Sequence, residues 1–294
     1  MKRVLILGAG YIGQQLFDSM MRDLSSSDAC WLKSKKDLDY TNKAVLSKFV
    51  ADSDVTHIVN CSGFTGVPNV DECEARKVEC WHYNVIVPAV ISTVAQHHSL
   101  SLINISSGCI YTGYEKDWTE EDQPNFGIFD STSSFYSRSK HAFELSNNYG
   151  LTIRIRMPIC GTDSPRSFLN KIRKYNNLVN FQNSKTYVPE LLDFVKVIVD
   201  RPLDMSPDIV NFVNPDPLWT SSVCDILEDW SVENDNWNFV DIDTLNLAAP
   251  RSNCILSTDK LRDVYGFEMM TEHDAVNEAA CNRWYRYKIV TTHK

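Results

Sequence analysis

The sequence predicts an α/β fold in which helices cover both faces of a parallel sheet. The first half of the chain alternates short β-branched runs with longer amphipathic stretches, which is the pattern of a doubly wound sheet. Two of the runs, 4–7 and 57–60, are nearly all apolar, as expected for strands that are covered on both faces. A glycine-rich stretch also joins the first run to the first amphipathic stretch. These three observations together predict the doubly wound parallel sheet.

The individual elements follow from this alternation in chain order. Strands are predicted at 3–7, 30–32, 57–60, 101–105 and 151–156, because each run is short and rich in apolar or β-branched residues. Helices are predicted at 12–24, 43–50, 71–97 and 134–149, with a break at Pro88 where a helical hydrogen bond is lost. Beyond Pro158 the alternation loosens, and a strand at 209–213 is a candidate to return to the main sheet. We therefore expect a first domain at 1–160, extended by about 186–220, and a smaller, discontinuous second domain at 161–294.

Composition and charge exclude several classes of protein. The chain has 294 residues, of which 43% are hydrophobic and 23% charged, and this excludes a disordered chain or a coiled coil. The net charge of −9 argues against nucleic acid or an anionic membrane as the main partner. No run approaches the roughly 20 apolar residues that cross a bilayer. The nine cysteines are odd in number and scattered, which favours a reducing, cytoplasmic location over a disulfide framework.

The glycine-rich stretch has the form G-x-G-x-x-G, with Gly8, Gly10 and Gly13 around Tyr11 and Ile12. It follows a predicted strand and opens a predicted helix, where glycines permit a tight turn and close approach of backbone N–H groups to a pyrophosphate. The alternative is a merely structural turn. We favour dinucleotide binding because of the position between strand and helix.

The second predicted strand ends in three lysines, Lys33, Lys35 and Lys36, where an NAD-preferring site usually offers an acidic residue. Positive charge here suits a 2′-phosphate, so NADP(H) is the expected cofactor, and a solvated lysine-rich turn is the alternative. Asp39 follows closely and is expected to border the adenine.

Tyr136 and Lys140 have the spacing Y-x-x-x-K, which places both side chains on one face of a helix. A nearby ammonium stabilises a phenolate and lowers its pKa from about 10 toward neutrality. The phenol can then exchange a proton as hydride moves to or from a carbonyl. We expect this pair to be catalytic.

With these motifs the chain resembles the extended short-chain dehydrogenase/reductase superfamily, which has a Rossmann-type fold. The resemblance implies that the Ser107 hydroxyl holds the substrate carbonyl, Tyr136 is the acid, and Lys140 binds the nicotinamide ribose with support from Asn84 through a water. The first domain then binds the dinucleotide and the second binds the substrate. The further positions expected along the cofactor are Cys61, Ser62, Gly63, Pro158 and Ile159.

A closer resemblance, spanning nearly the whole chain, is to plant-type nucleotide-rhamnose synthases with epimerase and reductase activity. It rests on the stretches 65–74, 108–111, 120–126, 154–159 and 250–253. The resemblance implies epimerisation at carbons 3 and 5 of a 4-keto-6-deoxyglucose nucleotide and then reduction at carbon 4. It assigns the epimerisation protons to Cys109 and Lys171, and which residue removes or returns a proton stays open. A buried packing thiol and an exposed helical lysine are the alternatives for these two residues.

The substrate is expected to contact a set of loop residues and Arg251. Arg251 is expected to bind the diphosphate, and the alternative is that it is an ordinary surface arginine. The expected set is Thr65, Gly66, Asn69, Ser107, Gly108, Cys109, Arg166, Asn170 and Arg251. No metal site is expected, because the spacing of Cys73, Cys80 and His82 is not a zinc spacing.

The sequence thus predicts a bifunctional 3,5-epimerase/4-keto-reductase that makes UDP-L-rhamnose with NADPH. A separate 4,6-dehydratase is expected to supply the substrate, and a homodimer is expected by analogy of fold. The sequence leaves uracil or thymine as the base undecided. Two alternatives remain: a monofunctional reductase of the dTDP-4-dehydrorhamnose type, and a non-catalytic NADP-binding regulatory subunit.

Overall fold

The fold is built on a six-stranded parallel sheet. The computed structural model describes the backbone of residues 1–202, 205–230 and 237–292, and the side chains up to residue 282. Its strands are β1 (Arg3–Leu7), β2 (Ala29–Lys33), β3 (His57–Asn60), β4 (Ser101–Ser107), β5 (Gly113–Trp118), β6 (Leu151–Ile155), β7 (Pro158–Ile159), β8 (Asn177–Leu178), β9 (Thr186–Tyr187), β10 (Asp208–Asn211), β11 (Asn238–Phe239) and β12 (Cys254–Leu256). The main sheet has the order β10-β6-β4-β3-β1-β2, and every neighbouring pair in it is parallel.

Helices flank this sheet and form most of the second half of the chain. They are α1 (Tyr11–Asp23), α2 (Lys43–Asp52), α3 (Asp71–Ala75), α4 (Lys77–Trp81), α5 (Val87–His97), α6 (Phe135–Ser146), α7 (Phe168–Ile172), α8 (Val188–Asp200), α9 (Thr220–Asp229), α10 (Asp259–Asp263) and α11 (Glu272–Thr292). A π-helix at His82–Ile86 precedes α5, and a short 3₁₀ helix lies at Ile242–Thr244. Among the described residues, no helix combines the length and apolar character that a bilayer span requires.

The side chains of β1 alternate between two cores, one on each face of the sheet. Val4 and Ile6 are buried with apolar residues of α1 and α8. Leu5 and Leu7 are buried on the other face with residues of α2 and α5. Alternation along a strand sends successive side chains to opposite faces, so a strand with two buried faces must be apolar throughout. The predicted doubly wound, Rossmann-type α/β fold is confirmed.

The chain changes direction across the sheet at β1. This strand pairs with β2 on one side and with β3 on the other, so the connections that follow β1 and β2 run in opposite directions. In open parallel sheets this reversal opens a crevice at the carboxyl ends of the strands, where ligands bind. The crevice here lies beyond Leu7 and Asn60.

The strand predicted at 209–213 is β10, and it pairs in parallel with β6 at the edge of the main sheet. The helix before it, α8, packs on the same face as α1. A third core lies away from the main sheet and joins residues of α7, α9 and α11, among them Leu169, Val223 and Val276. The exact domain limits stay a prediction.

The helix predicted at 71–97 is interrupted, but the predicted break at Pro88 is wrong. The interruption falls at Arg76, whose φ of −118° and ψ of 52° end α3 and precede α4. Pro88 instead lies in the first turn of α5, where a missing N–H costs little. The π-helix before it carries the chain into α5 with a bond from the Val87 N–H to the His82 carbonyl. Such π turns are frequent at functional sites, and this one carries Asn84.

A buried ion pair ties β9 to the start of α11. Lys185 is 1% and Glu272 0% exposed, and the Lys185 ammonium also donates to the Asn183 and Leu218 carbonyls, at 2.9 and 3.1 Å. The Glu272 carboxylate further accepts the backbone N–H groups of Lys185 and Leu218. Both charges are therefore fully hydrogen-bonded, which is the condition under which a buried pair is tolerated.

Replacing Lys185 with methionine should lower the free energy of unfolding by about 3–5 kcal/mol, because Glu272 is then left as an uncompensated buried charge. Chemical denaturation of the wild type and the variant measures this loss. Lys196→Met is the control, since Lys196 pairs with Asp23 and Asp193 at the surface, and its loss should stay within about 1 kcal/mol. Adding Glu272→Leu to Lys185→Met should recover much of the stability. Equal losses in the two single variants would contradict the expectation.

Candidate active site

The residues singled out in the sequence meet at the carboxyl edge of the main sheet. Gly8 follows β1, Cys61 follows β3, Ser107 ends β4, and Pro158 lies just beyond β6. Because all of these strands are parallel and adjacent, their carboxyl ends share one edge. The site is therefore assembled by the sheet, and helices α6 and α7 add side chains to it.

The glycine loop combines two tightly packed glycines with one that faces open space. Gly8 has a φ of +98°, and a Cβ there would lie 2.7 Å from the Ser62 nitrogen. A Cβ at Gly13 would lie 2.1 Å from the Gly8 carbonyl oxygen, whereas a Cβ at Gly10 would meet nothing within 4 Å. Gly10 is also the N-cap of α1, and its backbone leaves the helix N-terminus open to an anion. This arrangement fits a dinucleotide pyrophosphate.

The lysine-rich turn after β2 lies beside this loop, since the Gly8 N–H donates to the Lys33 carbonyl at 2.9 Å. The Lys35 ammonium bonds the Tyr83 hydroxyl at 2.9 Å, and Lys36 is exposed. The Lys33 ammonium lies 5.5 Å from the centre of the Phe49 ring. The turn thus presents positive charge near the end of β2.

Asp39, expected beside the adenine, is exposed and accepts a hydrogen bond from the Thr41 hydroxyl at 2.6 Å. Tyr40 next to it is buried, and its phenol faces the Ser62 side chain. The Ser62 hydroxyl in turn donates to the Asn60 side chain at 2.6 Å. The chain after β2 is thereby joined to the chain after β3.

Gly63, Asn84 and Lys140 converge beside this segment. A Cβ at Gly63 would lie 3.3 Å from the Asn84 amide oxygen and 3.4 Å from the Lys140 ammonium nitrogen. The Asn84 side chain accepts from the Phe64 N–H at 2.8 Å and donates to the Phe64 carbonyl at 2.9 Å. It also donates to the Ser139 hydroxyl, so Asn84 joins the loop after β3 to α6. The small residue at 63 leaves room beside the lysine.

Tyr136 and Lys140 lie one turn apart on α6 and are both buried. The helix begins after Ser134, whose hydroxyl accepts from the Ser137 N–H and caps the first turn. The Tyr136 phenol faces the Ser107 side chain. The Lys140 ammonium lies 5.9 Å from the centre of the Tyr136 ring. Ser107, Tyr136 and Lys140 therefore form one cluster.

The predicted lowering of the Tyr136 pKa by Lys140 is wrong, because the net shift is upward. Burial raises the pKa of Tyr136, the Cys109 thiol adds to that rise, and the Ser107 hydroxyl only opposes it. Burial also lowers the pKa of Lys140, which Glu144 counteracts. The phenol consequently holds its proton at neutral pH, which suits a proton donor.

Cys109 and Lys171, which the sequence predicts to transfer the epimerisation protons, lie beside this cluster. Cys109 is half-buried against Tyr136, and its backbone N–H donates to the Ser107 hydroxyl at 3.2 Å. Lys171 is half-buried on α7 and is therefore not the exposed helical lysine of the alternative interpretation. Burial and the Arg166 guanidinium lower the pKa of Lys171, whereas the Cys109 thiol raises it and Arg251 lowers it further. The thiol and the amine lie within electrostatic range of each other.

Two arginines from the second half of the chain contact the loop at 65–71. Arg166 donates to the Thr65 hydroxyl at 2.9 Å and to the Gly66 carbonyl at 2.7 Å. Arg251 pairs with Asp71 at 2.8 Å, and Asp71 also accepts the Ala249 N–H. Arg251 is thus held by a carboxylate instead of standing as an ordinary surface arginine.

Other expected contacts lie near the site but are held by their own neighbours. The Asn69 side chain accepts from the Asp71 N–H at the start of α3. The Asn170 amide donates to Asp163 and to the Ser164 carbonyl, and so shapes the loop before α7. Ile159 is fully buried in the third core, which leaves only its backbone for a cofactor contact.

Sequence reasoning missed two buried charges near the cluster. Glu144, four residues after Lys140, accepts from the Ser106 hydroxyl at 2.7 Å and pairs with Arg154. Arg156, just past β6, donates to the Gly108 carbonyl at 3.1 Å. The signal was present in the sequence, because charged residues at the end of a strand with two buried faces break its apolar pattern.

The cluster offers two kinds of chemistry. A protonated phenol and a serine hydroxyl can stabilise and protonate a carbonyl oxygen as it gains charge. A thiol and an amine of lowered pKa can exchange protons at carbons next to that carbonyl. Among the described residues, no group of three or more histidine, cysteine, aspartate or glutamate side chains is arranged to hold a metal ion.

Two plant relatives from Arabidopsis thaliana combine several activities in one protein. The chain is 36% identical over 220 residues to a trifunctional UDP-glucose 4,6-dehydratase/UDP-4-keto-6-deoxy-D-glucose 3,5-epimerase/UDP-4-keto-L-rhamnose-reductase, covering 70% of this chain and 32% of that protein. It is also 36% identical over 220 residues to a bifunctional dTDP-4-dehydrorhamnose 3,5-epimerase/reductase, covering 70% of each chain. This chain therefore spans about a third of the trifunctional relative.

Solved structures resemble the fold over almost the whole chain. The L780 UDP-rhamnose synthase of Acanthamoeba polyphaga mimivirus has a TM-score of 0.83 at 24% identity, covering 95% of this chain and 99% of that one. A Bacillus anthracis dTDP-4-dehydrorhamnose reductase in complex with NADP has a TM-score of 0.78 at 20% identity, covering 95% and 98%. At these identities the likeness is evidence of the fold.

The sequence as a whole also matches one defined family. The family model described as the RmlD substrate binding domain matches residues 1–283. This match spans the glycine loop, the Ser107–Tyr136–Lys140 cluster and both arginines at the loop 65–71. The chain therefore belongs to the RmlD substrate-binding-domain family.

Proposed function

We propose that this protein is an NADPH-dependent 3,5-epimerase/4-keto-reductase that converts UDP-4-keto-6-deoxy-D-glucose into UDP-L-rhamnose. The observation that carries the proposal is the half-buried Cys109 and Lys171 pair beside the Ser107–Tyr136–Lys140 cluster. The 4-keto reduction has the broader support, because both plant relatives and the bacterial neighbour are reductases of this class by name. The epimerisation is the finer part of the proposal.

NADPH is the proposed cofactor. The open face at Gly10 suits its pyrophosphate, and the lysines after β2 suit its 2′-phosphate. The bacterial reductase neighbour is solved with NADP, which supports the same choice. When bound, the cofactor supplies the hydride for carbon 4. Lys140, beside Gly63 and Asn84, would hold the nicotinamide ribose.

In the reduction, Ser107 and Tyr136 act on the carbon 4 carbonyl. The Ser107 hydroxyl orients the oxygen, and the Tyr136 phenol delivers its proton to that oxygen as the carbon is reduced. The raised pKa of Tyr136 keeps the phenol protonated and ready to donate. Because the phenol faces Ser107, both hydroxyls can donate to one carbonyl oxygen.

In the epimerisation, Cys109 and Lys171 exchange protons with carbons 3 and 5. Hydrogens on these carbons are acidic because the enolate formed by their removal is delocalised onto the carbon 4 oxygen, where Ser107 and Tyr136 already donate. Burial and the neighbouring Arg166 lower the pKa of Lys171, which raises the fraction of neutral amine that can accept a proton. The roles of remover and donor are not divided between the two residues here.

The substrate is proposed to lie between the loop 65–71 and α7. Arg166 and Arg251 border this space, and a guanidinium binds phosphate oxygens in a bidentate manner. A nucleotide diphosphate would compete with Asp71 for Arg251. A 4,6-dehydratase is proposed to supply the keto sugar, which agrees with the dehydratase activity in the name of the trifunctional relative.

Deuterium labelling tests the whole proposal. Incubated with UDP-4-keto-6-deoxyglucose and NADPH in deuterated water, the protein should oxidise NADPH and form rhamnose labelled at carbons 3 and 5, because protons removed there exchange with solvent. Cofactor absorbance and NMR of the sugar measure the two parts. Reduction without label would support the monofunctional reductase, and tight NADP binding without turnover would support the non-catalytic subunit.

Two variants should separate the two halves of the reaction. Cys109→Ser should abolish labelling of the keto sugar yet keep reduction of pre-epimerised UDP-4-keto-L-rhamnose, because Ser107 and Tyr136 remain. Tyr136→Phe should keep labelling but slow reduction by about 10²–10⁴-fold, the usual contribution of an acid. NMR and NADPH absorbance report on each step, and each variant is the control for the other. Loss of both steps in both variants would contradict the division of roles.

Removing positive charge after β2 should change the choice of cofactor. The double variant K35A/K36A should raise KM for NADPH by about tenfold or more, the usual effect of losing a charge-assisted hydrogen bond, and leave KM for NADH unchanged. The matched control is K43A/K48A on α2, which removes two other exposed lysines. Steady-state kinetics with both cofactors provide the measurement. Parallel changes for NADPH and NADH would count against the 2′-phosphate contact.

A further inference from the structure

Arg156 is a buried cation without an acidic partner. Its side chain is 2% exposed, and among the described residues no carboxylate lies within ion-pair distance of it. Two other buried cations are paired, Arg154 with Glu144 and Lys185 with Glu272. Lys140 is the other buried cation without an ion pair among the described residues, and it lies in the reactive cluster as well. An unpaired buried charge is costly, so its retention beside a cluster of reactive groups calls for an explanation.

Neutral acceptors take hydrogen bonds from both terminal nitrogens of the Arg156 guanidinium. Nη1 donates to the Gly108 carbonyl at 3.1 Å and to the Ser252 hydroxyl at 2.7 Å. Nη2 donates to the Asn183 side chain at 2.9 Å and to the Ser252 carbonyl at 3.1 Å, while the buried Nε has no partner. These bonds fix the orientation of Arg156 but leave its charge uncompensated.

The loop that carries Cys109 lies directly on the Arg156 side chain. A Cβ at Gly108 would lie 2.4 Å from Leu256 Cδ1 and 3.2 Å from Arg156 Cγ, so a glycine before Cys109 lets the loop lie close to both side chains. Burial acts to lower the pKa of Arg156, yet the net direction is upward because thiols and phenols face it. These facing groups are Cys254, Cys109, Tyr114 and Tyr136.

We propose that Arg156 is a positioning residue that holds the Cys109 loop and stabilises the thiolate form of Cys109 during proton exchange. This inference rests on the epimerase half of the proposed function. The thiolate takes a proton from a carbon next to the ketone, and the C–H electron pair moves onto the carbonyl oxygen. Sulfur then holds the proton as a thiol, and the reverse transfer regenerates the thiolate. In both directions the charged sulfur lies beside a fixed positive charge, which favours the charged form.

Other titratable groups face Cys109 from the surrounding elements. They are Tyr136 and Lys140 on α6, Lys171 on α7, and Cys254 on β12. Burial lowers the pKa of both lysines, so their charge varies with conditions, whereas a guanidinium stays charged at every working pH. Cys254 is fully buried and out of reach of a substrate. Arg156 is therefore the constant cation near the Cys109 sulfur.

The pH dependence of Cys109 alkylation tests the inference without any turnover. Iodoacetamide reacts with the thiolate, and mass spectrometry of the Cys109 peptide gives the rate at each pH for this cysteine alone. In Arg156→Gln the midpoint should move up by about one pH unit, so alkylation at pH 7 should slow about tenfold. Arg156→Lys should keep most of the wild-type rate, because it keeps the charge.

Asn183→Ala is the matched structural control, since it removes one hydrogen bond to the guanidinium and leaves the charge in place. It should not move the midpoint. A wild-type midpoint equal to that of glutathione, an unchanged midpoint in Arg156→Gln, or an equal shift in Asn183→Ala would each overturn the inference.

If circular dichroism shows that Arg156→Gln does not fold, Lys171→Met decides the question. A midpoint that stays below that of glutathione in Lys171→Met supports Arg156, and one that rises to it assigns the effect to Lys171 and overturns the inference. The labelling experiment with the wild type reports separately on the epimerase. Failure of the proposed function is thus distinguishable from failure of the Arg156–Cys109 coupling.

Discussion

The parallel pairing of β4 with β6 is the constraint on which the rest of the site depends. It sets Ser107 opposite Ile155 and continues past the strands as a hydrogen bond from the Gly108 N–H to the Ile155 carbonyl. The residues that follow on each strand, Cys109 and Arg156, are thereby brought to the same edge of the sheet. Because the register of a parallel ladder is fixed by buried apolar side chains on both faces, this juxtaposition is as rigid as the core. Helix α6 then needs only to pack on that edge to bring Tyr136 to Ser107.

Burial of charge around the site follows one rule with two exceptions, Lys140 and Arg156. Glu144 with Arg154, and Lys185 with Glu272, are pairs in which every charge meets an opposite charge and further hydrogen bonds. Such pairs fix geometry more than they add stability, since their mutual attraction mainly offsets the loss of hydration. Among the described residues neither Lys140 nor Arg156 has a carboxylate within ion-pair distance, and both lie near the cluster of Ser107, Cys109 and Tyr136. The two exceptions therefore lie where the proposed reaction needs positive charge.

The sequence was most informative where one local rule decides the structure. Strands β1 and β3 have the predicted limits because a short, nearly all apolar run in an alternating chain has few other solutions. The glycine loop and the Y-x-x-x-K spacing predicted their neighbours because backbone geometry alone sets them. The sequence predictions were wrong where several opposing physical effects decide the pKa of a group or the course of the backbone. The rise in the pKa of Tyr136 depends on burial that no spacing reveals, and the turn before Pro88 depends on a π-helix that no local propensity predicts. Arg156 was missed because its interest lies in having no carboxylate partner among the described residues, which the sequence does not reveal.

The two proposed reactions make opposite electrostatic demands. The reduction needs a phenol that keeps its proton, and the proposed epimerisation needs a sulfur that gives its proton up. The two groups are neighbours, because Cys109 packs against the cluster that contains Tyr136. A uniform electrostatic potential over the site therefore cannot serve both reactions. The fold places the phenol and the thiol in different environments. The phenol lies in a buried cluster with Cys73 and Cys80, where burial favours the neutral form. Cys109 is half-buried, next to the glycine that rests on Arg156 and within range of Lys171. Because a thiolate formed there raises the pKa of the adjacent phenol further, charging the sulfur keeps the phenol protonated for the second step.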